Sequence, residues 1–354
     1  MRLTSPPLLG TFLAPALAAT STTIVPELST AQWISDAEGF DSPKVSPINT
    51  ITWDWWSFDA VQVSPNNEEK ASFVATFYTA GVSGFEPLVI YANEGHTSIA
   101  LAELVVIWHN GTRERVLIDG TEARIGTVGD GTSGVWDGLD GQASFLASPN
   151  MRYYQIALES EEVEGTVTLQ SLAPPHYPCG PAEAGQDMQL APHIGWANAV
   201  PDAASEVHLS VGGRRLDFTG IGYHDKNWVN SHFQPNVGTC YWGHSRAGPY
   251  NLVWFGYLPH KSQSHVTPQN CVSAYVARDG EILTAQCSGI TVRPYGENAT
   301  YPPLMNSDPP RGYKINVELP DGTELEFTAT IRYNVAGAQS IGYLRWTGGF
   351  GAGS

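Results

Sequence analysis

The chain is predicted to be all-β and built in two parts, with the second part the size of a small ligand-holding barrel. Three observations predict this. The composition is turn-rich and aromatic, with 36 Gly, 25 Pro, 11 Trp, 15 Tyr and 12 Phe in 354 residues, and only 15% charged residues. No stretch of a dozen residues has the 3.6-residue apolar period of an amphipathic helix. Runs of alternating or continuous apolar residues instead follow one another, separated by turn dipeptides. The length suits two domains or one large β domain. A net charge of −17 opposes binding to nucleic acid or to anionic membrane surfaces.

Taken in order, residues 1–19 read as a signal-like leader: Arg2 precedes an apolar run, and Ala16-Leu17-Ala18 suits cleavage. That points to the secretory pathway, to secretion or to an intracellular vesicle. No apolar run is long enough for a permanent membrane span. The next strands are expected in "TITWDWWSFDAVQV", "KASFVATFYTAG" and "EPLVIYANE". "SIALAELVVIWHNGTRERVLID" reads as a hairpin turning at Asn110-Gly111. The glycine-rich stretch "GTVGDGTSGVWDGLDGQ" (126–142) reads as a loop, and its acids lack the spacing of a calcium site. "MRYYQIALES", "GTVTLQSLAP" and "EVHLSVGGRRLDFTGIGY" follow as strands. A boundary near residue 230 then separates an N-terminal domain (20–230) from a C-terminal one (231–354). The second domain offers about eight strands, the number of an up-and-down barrel that holds one small ligand. Its last strand runs into "RWTGGFGAGS", read as a glycine-rich turn that leaves a barrel edge open.

The four cysteines are even in number, as in proteins of an oxidising compartment. "CVSAYVARDGEILTAQC" reads as a hairpin with a three-residue turn, which sets Cys271 opposite Cys287 and leaves Cys179 with Cys240. Other pairings, or four free thiols, remain open at this stage. Asn110 and Asn298 begin glycan-acceptor triplets.

Three stretches carry chemistry. In "WDWWSFDA" alternation places Asp54 with Trp56 and Phe58, an acid among aromatic rings, where desolvation favours the neutral carboxyl. A neutral carboxyl can donate a hydrogen bond to a carbonyl or a proton to an alkene. The bland alternative is an Asp54 that pairs with an arginine or caps a turn. "GYHDKNWVNSHF" offers His224, Asp225, Lys226, Asn227 and Trp228; a metal at His224 and His232 lacks a third ligand, so no metal is expected. "YWGHSRAGPYNLVWFGY" puts Trp242, His244 and Arg246 on one face, suited to a polar head on an apolar tail. Hydrolase elbows, Walker loops, dinucleotide-binding turns and zincin motifs are absent.

Together "WDWWSFDA", "GIGYHDKNW", "YWGHSRAGPYNLVW" and "PHIGWANAVPDA" make the chain resemble, from about residue 40 to about 348, the fungal lipocalin-like Diels–Alderases of decalin and related polyketide biosynthesis. These are distant relatives of the carotenoid 1,2-hydratase/AttH group. The resemblance implies an N-terminal β-sandwich, a C-terminal lipocalin-like β-barrel and a pocket at the domain interface. It implies no cofactor, and a monomer or weak dimer acting on an apolar polyene. Asp54 matches the family's acid, Thr79 a position where a polar amide is expected, and Trp228 a pocket indole; these are the catalytic candidates. The substrate-contacting candidates are Trp56, Phe77, Tyr177, Asp225, Trp242, His244 and Trp346, the last as a lid. The expected reaction is a stereoselective intramolecular [4+2] cycloaddition of a linear polyene, promoted by proximity and by hydrogen bonds to the acceptor carbonyl. The alternatives are a hydratase or isomerase of a terpenoid-like alkene, and a non-catalytic binder of an apolar metabolite.

Overall fold

The computed structural model describes residues 17–21, 24–63, 71–233, 236–260, 271–302, 308–338 and 343–352. Of Leu17–Ser21, Cys271, Ala336, Gly337, Ala338 and Ala352 only the backbone is described. The N-terminal part is one long antiparallel sheet folded over on itself. Its strand order is Leu17–Ser21, Glu122–Val128, Gly131–Asp137, Gly141–Ala147, Tyr153–Ser160, Val163–Ser171, Ile194–Val211, Arg214–Val229, Trp53–Gln62, Ser72–Ala80, Ala100–Ile107 and Arg113–Gly120. Side chains from its two halves meet in a core that includes Trp56, Phe58, Phe77, Trp136, Phe145, Tyr154 and Val207. This is the sandwich. Residues 17–19, within the expected leader, pair with the strand Glu122–Val128.

Two segments differ from the sequence reading. Glu86–Asn93, expected as a strand, is an α-helix with Pro87 in its first turn, where a missing N–H costs nothing. Pro87, Leu88 and Tyr91 are its buried residues, and Leu88 and Tyr91 are one turn apart, a helical spacing hidden by the shortness of the run. The stretch 126–142, expected as a loop, contributes parts of three strands joined by tight turns. Gly129, with φ of 59°, makes the first turn, and Trp136 is fully buried in the strand between them. Glycine marked the turns there and masked the strand.

The C-terminal part has eight strands in two four-stranded antiparallel meanders, Val237–Ala247 to Glu281–Gln286 and Ile290–Tyr295 to Tyr343–Ala352. They enclose a second core of Leu252, Trp254, Val276, Val292, Ile315, Val317 and Phe327. The last strand continues through the glycines to Ala352, paired with Glu324–Ala338. The fold is therefore all-β and lipocalin-like in its second part, with one helix among the described residues.

The cysteine pairing is corrected. Cys179 is bonded to Cys287, 108 residues away, and Cys240 is free and exposed. The hairpin turns on Asp279-Gly280, both at positive φ, so Arg278 faces Glu281 and a later register shift puts Ala274 opposite Gln286. Cys287 is thus out of step with Cys271, whose side chain lies outside the described residues. The bridge ties the segment before the strand Ile194–Val211 to the C-terminal meanders. Asn110 and Asn298 are both exposed in turns.

Candidate active site

Register brings two of the dense sequence stretches together. Arg214–Val229 runs antiparallel to Trp53–Gln62, so Trp228 faces Asp54, Lys226 faces Trp56, and Tyr223 faces Asp59. The even-numbered residues of Trp53–Gln62 point into the sandwich. Asp54 is fully buried there. Its carboxylate accepts from the Lys226 ammonium and from the backbone N–H groups of Lys44 (2.6 Å) and Val45 (3.3 Å). Burial pushes Asp54 above its usual range and Lys226 below its own. The Lys226 ammonium also lies 3.5 Å over the Trp56 ring.

The other family-matched candidates belong to the same interior. Thr79 Oγ donates to the Asp54 carbonyl at 3.4 Å, and the Trp228 indole donates to the Gln32 carbonyl at 3.0 Å. The Trp56 indole donates to the Asp41 carbonyl at 2.9 Å, Phe77 packs on Phe58, Trp136 and Phe145, and Tyr177 stacks on Phe40. Asp225 is buried and accepts from Trp196 Nε1 and the Tyr223 hydroxyl, both at 2.9 Å. None of these seven candidates, Asp54 included, lines the large cavity.

That cavity, about 470 Å³, lies between the sandwich and the C-terminal strands. The odd-numbered face of Trp53–Gln62 supplies Asp59 and Val61; Val237–Ala247 supplies Cys240 to Arg246; the last strand supplies Tyr343 to Phe350. Trp242, His244 and Trp346 thus share it, three of the ten sequence candidates. Gly243 lets Trp254 lie against the strand, since a side chain there would overlap the indole. Aromatic side chains are spread over the walls, among them Tyr241, Trp242, Trp254, Tyr313, Trp346 and Phe350.

A polar cluster is set into this wall. Asp59 accepts from Arg345 Nη2 at 2.5 Å and faces His244 Nε2 at 2.9 Å. Arg345 Nη1 reaches Ser57 Oγ at 3.4 Å, and its guanidinium lies 4.9 Å from the Trp242 ring centre. The His244 imidazole stacks on Tyr223 with ring centres 3.9 Å apart, fixing its plane. Burial alone would raise Asp59, but His244 and Arg345 outweigh it and hold the carboxylate below its usual range. An ionised Asp59 orients Arg345, whose Nε has no partner among the described residues. Farther along, Arg246 forms a two-pronged pair with buried Asp202 at 2.8 and 2.7 Å.

Asp59, Arg345 and Asp202 were not singled out in the sequence. Asp59 stands in the same quoted stretch as Asp54 but on the opposite parity. Arg345 precedes the noted Trp346 by one residue, and its partner is 286 residues away. No three His, Cys, Asp or Glu residues among those described are placed to hold a metal ion. No helix among them is long and apolar enough to cross a membrane.

The fold and the interface cavity define a lipocalin-like class of two-part β protein with room for a small molecule. The chain matches the family model described as Diels-Alderase-like over residues 16–293 and belongs to that family. It is 33% identical to the quinolone epoxide rearrangement protein penF of Penicillium thymicola over 92% of this chain and 87% of that protein. It is 32% identical to the quinolone epoxide rearrangement protein asqO of Emericella nidulans over 82% of this chain and 76% of that one. Diels-Alderase phmD of Phaeosphaeria nodorum is 25% identical over 65% of this chain and 62% of its own length. Among solved structures, CghA crystallised with Sch210972 superposes with a TM-score of 0.69 at 17% identity, covering 90% of this chain and 87% of that one. The family and the fold implied by the sequence resemblance both hold. These relatives support an enzyme of the cyclising or rearranging kind.

Proposed function

We propose that the protein is an isomerase that rearranges an epoxide on a quinolone-like, alkenyl-bearing substrate. The observation that carries this is Arg345, held by ionised Asp59 within an aromatic cavity. A guanidinium keeps its protons, so it acts by donating hydrogen bonds to the oxygen on which charge develops. The epoxide C–O bond breaks with its electron pair going to oxygen, which Arg345 stabilises. The positive charge left on carbon rests against indole and phenyl faces. A nucleophilic atom of the same substrate closes the new bond, and the proton it releases ends on the alkoxide. No atom is gained or lost. Asp59 and His244 are positioning residues. Similarity to two quinolone epoxide rearrangement proteins over most of the chain favours this reading.

A second reading keeps the [4+2] cycloaddition. There, Arg345 donates to a carbonyl conjugated with the dienophile, and the cavity folds the polyene. Similarity to several Diels-Alderases favours it. The Cys179–Cys287 bridge and the exposed Asn110 and Asn298 fit passage through an oxidising secretory compartment, which belongs to this proposal.

The test is to incubate purified protein with an alkenyl quinolone epoxide and follow it by mass spectrometry and NMR. A product of unchanged mass and new skeleton, lost in Arg345→Met, supports the first reading. Recovered epoxide, or only its diol, sinks it. A linear polyene whose diastereomer ratio the protein leaves unaltered sinks the second.

A further inference from the structure

The cavity has a second guanidinium, and its setting matches that of the first. Arg246 projects into the cavity with about 29% of its side chain exposed, while Asp202, its partner, is only 1% exposed. Arg246 Nε and Nη2 hold both Asp202 oxygens, and Nη2 also donates to the Ala203 carbonyl at 3.2 Å. Asn251 Nδ2 donates to the same carboxylate. Asp202 and Arg246 sit on different strands, 44 residues apart, one in the sandwich and one in the C-terminal meander. The guanidinium is thus locked in plane, with Nη1 free of partners among the described residues.

We infer that Arg246, fixed by Asp202, is a second oxygen-binding group of the cavity, and that the ligand is an uncharged molecule carrying two acceptor oxygens. This rests on the reading of Arg345 as the group that stabilises the reacting oxygen. Each guanidinium is already matched by one carboxylate, Arg345 by Asp59 and Arg246 by Asp202. The two guanidinium–carboxylate pairs carry no net formal charge, so neither pair offers an ionised ligand an unmatched counter-charge. A neutral carbonyl needs only the spare N–H. One end takes the reacting oxygen. The other takes a fixed oxygen, such as the ring carbonyl of a lactam-type heterocycle, and sets which way round the substrate lies.

The test uses three probes, 2-quinolone, naphthalene and quinoline-2-carboxylate, with binding followed by tryptophan fluorescence. A hydrogen bond from a charged donor predicts that 2-quinolone binds about tenfold more tightly than naphthalene, which has no acceptor atom. Arg246→Met is expected to erase that gap while leaving naphthalene binding unchanged. Arg246→Lys, which can still pair with Asp202 but lacks the fork, is expected to shrink the gap and guards against misfolding of the first variant. The inference is overturned if the gap is absent in the wild type, persists in both variants, vanishes only with Arg345→Met, or if the carboxylate binds most tightly. The readout needs no turnover. A carbonyl preference that depends on Arg246 stands even if the epoxide is not rearranged.

Discussion

One strand carries two acids with opposite fates. Asp54 and Asp59, five residues apart on Trp53–Gln62, point to opposite faces of the sheet. Each faces a basic partner, Lys226 for Asp54 and Arg345 with His244 for Asp59. Asp54 is fully enclosed, and its partner Lys226 is fully buried with it, away from the cavity. Asp59 is nearly as buried, but its guanidinium partner opens onto a cavity and keeps a donor unspent. An acid buried among indoles therefore need not open onto the cavity. A site needs a charged group that is oriented by one neighbour and still open to a ligand.

The largest effect is expected on the enclosed side. Asp54→Ala leaves the Lys226 ammonium buried without a counter-charge, a loss of about 3–5 kcal/mol by denaturant unfolding. Activity per folded molecule should stay near that of the wild type. A folded Asp54→Ala protein with no activity would break the comparison. On the open side, Arg345→Met should lower kcat per folded molecule by about a hundredfold to a thousandfold, as loss of an oxyanion donor does, and it leaves buried Asp59 with His244 as its remaining basic partner.

A pH experiment sharpens the enclosed half. His176 is buried, stacked on Tyr275 with ring centres 4.2 Å apart, and burial lowers its pKa to about 4. Between that value and the ordinary value near 6.5, the unfolded chain binds a proton that the folded chain refuses. Stability should fall as pH drops through this window, by about 3 kcal/mol in all. His176→Phe should flatten that part of the curve in urea titrations at pH 6.5 and 4.5. An unchanged slope would show that another group carries it. The smallest effect is expected from Asp59→Asn, which keeps the shape and loses the charge that aims Arg345. A loss of about tenfold in kcat with KM little moved would mark a positioning role. A KM effect alone would mean that Asp59 serves binding.

The strands were legible because alternation and turn dipeptides are local signals. The hairpin at Asn110-Gly111 and the eight C-terminal strands follow from them. The helix Glu86–Asn93 was not legible, because eight apolar-rich residues after a glycine fit a strand as well as two helical turns. Gly131–Asp137 was not legible either, since its glycines imitate a loop. The sequence reading set the candidate site on the Asp54 and Trp56 face of Trp53–Gln62, whereas Asp59 and Val61 of the other face line the cavity; both faces carry tryptophan, so the local pattern does not separate them.

By itself the sequence determined an all-β chain, its family, and the cavity side chains Trp242, His244 and Trp346 as candidates. Tertiary structure alone decided that Asp54 is an enclosed ion pair, that Asp59 meets Arg345 across 286 residues, and that Cys179 takes Cys287. The physical reason is range. Periodicity and turn chemistry act over a few residues, while strand register and the packing of one sheet on another decide which distant charges share a cavity.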